Sequence, residues 1–95
     1  MSRRDEIERA LQIIAPLIPH HERGAVVDHA IDSHGLQSAS IESATWLSLV
    51  AYIRHVHTDY EHLLASGYDA ESARHFVTAD INLVLKEWGA SRRIE

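Results

Sequence analysis

Eleven consecutive residues, Tyr52-Ile53-Arg54-His55-Val56-His57-Thr58-Asp59-Tyr60-Glu61-His62, carry three imidazoles, two phenols, two carboxylates and a guanidinium inside an otherwise apolar, helix-patterned run. An imidazole that titrates near neutrality can act as a general base, and the planar fork of Arg54 suits a carboxylate or phosphate. His57, Tyr60 and Arg54 could therefore line a hydrolytic pocket. His55 and Asp59 have the i, i+4 helical spacing that lets two side chains share a metal ion. His62 is two turns from His55, about 10.5 Å along a helix axis, and does not complete that pair. Further ligands would have to come from His20, His21, His29 or His34, which no His-Glu-x-x-His pattern connects. Eight histidines in 95 residues predict adventitious zinc or nickel affinity, with no dedicated metal and no cofactor.

Each group also has a structural use. On a continuous helix His57 falls in the apolar stripe formed by Trp46, Leu49, Val50, Ile53, Val56, Tyr60, Leu63 and Leu64. A buried imidazole left without a hydrogen-bond partner costs on the order of 1–3 kcal/mol, so an acceptor is expected opposite it, either a loop carbonyl or an acidic side chain of another helix. Tyr60 can pack its ring and leave its hydroxyl at an edge. Arg54 and Glu61 flank the stripe, with Thr58 one turn from Arg54, and a surface ion pair is the plain alternative for that arginine. His55, Asp59 and His62 form a polar ladder on the opposite face. Arg74 stands at the edge of the core face of the last helix.

Several classes of function are excluded by composition. The chain has no cysteine, and its four glycines are isolated, which removes thiol chemistry, thiolate zinc sites and glycine-rich phosphate loops. A net charge of −5 argues against nucleic acid as the partner, since nonspecific affinity for phosphates comes from clustered Lys and Arg. The clearest basic pairs, Arg3-Arg4 and Arg92-Arg93, lie at the ends. No apolar run is long enough for a bilayer, and the first residues open an amphipathic pattern instead of a signal peptide. A cytoplasmic location without membrane association is the resulting expectation.

The elements that must position these groups are helices, because apolar residues recur at three and four positions and never convincingly at two. The spacing predicts an all-α protein, a compact bundle of four helices around one long helix. At 95 residues it is one domain, with solvated ends near 1–4 and 90–95. The first helix runs from about Arg3 to Ala15 and stops at Pro16; the second starts at Pro19 and ends near Ser33, before Gly35. Ser38 or Ser40 caps a long third helix over about 41–66, ended by Gly67, and Asp69 caps a fourth that Gly89 ends. Phe76 and Leu83 are displaced from the main stripe of the fourth helix and require a second neighbour, either the amino-terminal helix or a partner chain in a homodimer interface rimmed by Asp80 and Glu87.

Residues 52–61 together with Leu63-Leu64, Gly67, Ala73-Arg74, Val77, and Val84-Leu85 through Trp88 resemble domain-of-unknown-function family 2293, found in bacterial and fungal proteins. The similarity covers about residues 17–89, including Pro19 and His29-Ala30. It implies no known activity. The linker before the long helix is short and serine-rich here, where fungal members carry a longer Gly- and Arg-containing segment. That departure weakens any nucleic-acid role carried over from them.

Polar density without catalytic geometry points to a small non-enzymatic module that binds another macromolecule, with protein the expected partner. The candidate binding residues are Arg54, His55, His57, Thr58, Asp59, Tyr60, Glu61, His62 and Arg74. The alternatives are a metal-dependent or His-based hydrolase, and a weak nucleic-acid-binding module.

Overall fold

Ser2 opens the first helix through a reciprocal capping box: its hydroxyl accepts the Asp5 N–H, and the Asp5 carboxylate accepts the Ser2 N–H. The computed structural model describes all 95 residues, and every regular element is helical: α1 (Arg3–Ile14), α2 (His20–Asp32), α3 (Ile41–His57), α4 (Tyr60–Ala65) and α5 (Ala70–Glu87), with a short 3-10 turn at His34–Leu36. Pro16 lies just beyond the end of α1, and Pro19 provides the N-cap position of α2. Ser40 caps α3 by accepting the Ser43 N–H at 3.1 Å. Asp69 caps α5 by accepting the Ser72 N–H at 2.7 Å, and that bond holds its carboxyl below the ordinary range.

α3 is the spine of the bundle and packs against α1, α2 and α5, while α4 rests on α5 and the end of α3. Ile7 and Leu11 from α1, Val26, Val27 and Ala30 from α2, Leu49 and Ile53 from α3, and Val77, Ile81 and Leu85 from α5 build one core cluster. Trp46 and Trp88 close it at the edges. No helix is long and apolar enough to cross a membrane.

The long third helix expected over 41–66 is two helices, so the bundle has five instead of four. The break falls at Thr58, whose backbone is extended at φ −133°, and at Asp59. The Thr58 hydroxyl donates to the Arg54 carbonyl one turn back and accepts the Tyr60 N–H at 3.2 Å, so it closes α3 and opens α4 together. This competing side-chain bond is the feature that hydrophobic periodicity does not register. Past the break the phase of the helix is lost; Val56, assigned to the core by a continuous wheel, lies in the last turn of α3 just before it and is 50% exposed.

Both glycine stops have a common geometry. Gly67 and Gly89 take left-handed φ values of +101° and +82°, and in each case two backbone bonds close the helix end: Tyr68 N–H to Leu63 and Gly67 N–H to Leu64, then Ala90 N–H to Leu85 and Gly89 N–H to Lys86. The Leu17 N–H donates to the Trp88 carbonyl, tying the α1–α2 connection to the end of α5. The terminal segments, expected as solvated ends, are also bonded. Arg3 donates to the carbonyls of Leu36 and Ala39, and Asn82 holds the backbone of Ile94.

Candidate binding surface

The helix break divides the polar motif into two groups that face different neighbours. On one side, His57 Nε2–H donates to the carboxylate of Glu22 on α2, which also accepts the Tyr52 hydroxyl at 3.1 Å. The His57 ring stands edge-on to Trp88 at 5.4 Å and to Tyr52 at 6.1 Å. Glu22 is the buried acid of the protein, with 7% of its surface exposed. Burial, and then the bond to Glu22, push the Tyr52 phenol above its ordinary value of 10.0. The acidic acceptor expected for His57 therefore exists, but the imidazole lies at the rim, its side chain 31% exposed, and not within the core. His57 is the last residue of α3.

On the other side, Arg54 lies half-buried over the ring of Tyr60, its Cζ 5.6 Å from the centroid. Its Nε is buried without a hydrogen-bond partner, as is that of Arg23. What distinguishes Arg54 is Arg74 on α5. Burial first, and then the charge of Arg74, hold the Arg54 guanidinium below its ordinary value. The four ion pairs of the protein join Arg4 to Asp28, His21 and His57 to Glu22, and His55 to Glu61, so neither Arg54 nor Arg74 has a carboxylate within pairing distance. Both arginines line a 470 Å³ cavity between α3 and α5, together with Val50, His75, Thr78 and Ile81. Glu71 and Glu95 border the same cavity without pairing to either arginine.

The remaining candidates are exposed and separate. The predicted ladder of His55, Asp59 and His62 does not form, because the break removes the helical register between its members. His55 Nδ1–H donates instead across the break to Glu61 at 3.0 Å, while Asp59 and His62 face solvent. The i, i+4 metal pair is lost for the same reason, and no three His, Asp or Glu side chains gather at metal-binding geometry. Phe76 and Leu83 are 57% and 58% exposed, and Tyr68 stands edge-on to Phe76 at 5.4 Å.

Three bonded side chains escaped the sequence reading: Glu22, Ser48 and Asn82. Glu22 had a signal, since it precedes Val26 and Ala30 at i, i+4 and i+8 on the inward face of α2. Ser48 accepts from His29 Nδ1–H at 2.9 Å and donates to the Val26 carbonyl, which fixes α2 against α3. Asn82 pairs with a residue outside any helix, and no periodicity encodes that.

Residues 10–89 match the family described as "Uncharacterized conserved protein (DUF2293)", and the chain belongs to that family. No curated protein and no solved structure matches the chain.

Proposed function

We propose that this member of the DUF2293 family is a non-enzymatic helical module that binds another protein through the face of α3 and α5 that carries Arg54 and Arg74. The observation that carries this reading is the uncompensated state of Arg54. A guanidinium withdrawn from water is ordinarily matched by a carboxylate and by acceptors for each N–H. Here the charge that acts on it is another guanidinium, in a chain whose net charge is −5. An acidic group from a partner would relieve both the repulsion and the desolvation, so the surface is complementary to something the chain itself does not supply. His55, Asp59 and His62 are exposed apart from this surface, and none of them lines its cavity.

Phe76 and Leu83 offer a second, separate surface for self-association. Helical geometry places them on the opposite side of α5 from Arg74 and Ile81, so a dimer formed there would leave the arginine face open.

The Glu22–His57 pair supports a second reading, a His-based hydrolase, because an imidazole oriented by a buried carboxylate is the arrangement of an activated base. The cavities of the protein lie elsewhere, however: none of the four is lined by His57 or Tyr60. The test is affinity capture with the intact chain and with an Arg54→Ala/Arg74→Ala variant whose helical circular dichroism is unchanged. Loss of a captured protein from the variant is the expected result. Equal capture by both would refute the binding reading, and ester or phosphoester hydrolysis lost in His57→Ala would establish the second.

A further inference from the structure

The segment after α5 lies along the groove between α3 and α5 in a specific way. The Arg92 guanidinium stacks over the Trp46 ring with its Cζ 4.2 Å from the centroid. Ile94 packs against the core cluster. Asn82 grips the backbone of Ile94 from both sides: Asn82 Nδ2 donates to the Ile94 carbonyl at 2.9 Å, and the Ile94 N–H donates to Asn82 Oδ1 at 2.8 Å. An amide that both donates to and accepts from one residue's main chain recognises a non-helical strand of peptide without regard to its side chain. An aromatic platform, an aliphatic seat and a main-chain clamp are together the parts of a peptide-reading groove.

That groove continues past its present occupant. The 470 Å³ cavity runs from Ile94 and Glu95 along Leu47, Val50 and Thr78 to Arg54 and Arg74. Asn82 and Arg74 are eight residues apart on α5, about 12 Å by helix rise. An extended chain covers that length in three to four residues at about 3.3 Å each. Residues 92–95 thus fill the half of the groove that reads backbone and aliphatic side chain, while in the other half no carboxylate, not even Glu71 or Glu95 at the border, pairs with Arg54 or Arg74.

We propose that the α3–α5 groove is a binding site for an extended acidic peptide, with an aliphatic residue in the seat of Ile94 and a carboxylate side chain three or four places further on between Arg54 and Arg74, and that residues 92–95 compete for it in cis. This rests on the protein-binding reading above and supplies the chemistry of the partner. Its consequence is a built-in threshold: a ligand must displace Ile94 before it can be read, so affinity is reduced by the fraction of chains whose groove is open.

The test is fluorescence anisotropy with the labelled peptide Ser-Arg-Arg-Ile-Glu-Ser-Asp-Glu, against the intact chain and full-length variants of confirmed helicity. Ile94→Ala removes the aliphatic anchor and leaves residues 92–95 held by the main-chain clamp and the Arg92 stack, so the groove opens more often and binding is expected to tighten about tenfold. In that background, Arg54→Ala, Arg74→Ala and Asn82→Ala are each expected to weaken it on the order of tenfold, the magnitude of a lost charge-assisted contact or a lost pair of main-chain bonds. Serine in place of the last two acids of the peptide should abolish the gain. The proposal is overturned if Ile94→Ala binds no better than the intact chain, if the serine peptide binds as well as the acidic one, or if only a phosphoserine peptide binds. If a protein captured through Arg54 and Arg74 is retained by Asn82→Ala while the peptide is ignored, the register is wrong and the binding reading survives. If capture is indifferent to Arg54 and Arg74, both fail together.

Discussion

Replacing Glu22 with alanine should be among the most damaging single changes outside the apolar core. The carboxylate is buried, with 10% of its side chain exposed, and it is the common acceptor for the Tyr52 hydroxyl and His57 Nε2–H. A hydrogen bond to a charged group contributes about 1.5–3 kcal/mol, and the exposure of His57 lets water replace part of its share, so the loss for the pair is about 2–3 kcal/mol. In a domain of this size about 1 kcal/mol corresponds to about 4–8 °C in melting temperature, which places Glu22→Ala roughly 10–20 °C below the parent. Tyr52→Phe removes one bond and should cost about 1 kcal/mol. The decisive measurement is the double-mutant cycle by urea denaturation. Once Glu22 is gone the Tyr52 hydroxyl has no acceptor to lose, so the double variant should be less destabilised than the sum of the singles by about 0.5 kcal/mol or more. A Glu22→Ala effect within about 0.5 kcal/mol, the range of an ordinary surface change, would refute the reasoning, and so would strict additivity.

The same cluster predicts an alkaline limit. The folded-state pKa of Tyr52 is raised above its ordinary value of 10.0, so its contribution is fully present below that pH and is lost as pH rises through the folded value. Tyrosinate absorbance should show a late-titrating component that disappears in Tyr52→Phe, together with a weaker decline of stability above pH 10 in that variant. The two left-handed glycines should separate strain from crowding. Gly67→Ala meets open space and bears only the backbone penalty, about 1–2 kcal/mol, whereas Gly89→Ala also drives its Cβ to 3.1 Å from Pro16 and 3.2 Å from Leu17 and should cost more. Thermal melts showing the two alanine variants equal would mean that the α1–α2 connection yields freely.

The sequence was most legible where one periodicity or one side chain governs a local choice. The Asp69 cap, the serine cap of α3, which Ser40 and not Ser38 provides, the stop at Pro16 and the helix ends at Gly67 and Gly89 all follow from residue type and position. It was least legible where a short-range bond competes with the helix. Nothing in the spacing of Ile53, Val56, Tyr60 and Leu64 reports that Thr58 will satisfy the Arg54 carbonyl and interrupt the run. The site suffered most, because the wheel that joined His55 to Asp59 and His62 assumed an unbroken helix, and no wheel reports that His57 stands in the last turn of its helix. Glu22 and Asn82 fall into a third case: their roles depend on residues 35 positions away, at His57, or outside any helix, at Ile94.

The break also accounts for most of the polar density that made residues 52–62 look chemical. Thr58 terminates one helix and starts the next. His57 and Tyr52 fasten the end of α3 to Glu22 on α2. His55 and Glu61 span the corner. Tyr60 supplies the ring beneath Arg54. Each of these groups has its partner within the chain, and a substitution at any of them should register first as lost stability. Arg54 does not fit that pattern. Its Nε has no acceptor, no carboxylate lies within pairing distance, and the charge of Arg74 repels it. A fold stabilised by matched groups gains nothing from that arrangement, and truncating Arg54 should cost little stability or even raise it. A residue whose removal spares the fold and yet stands half-buried in a groove, facing a second unpaired arginine, is better explained by what binds there than by what it holds together.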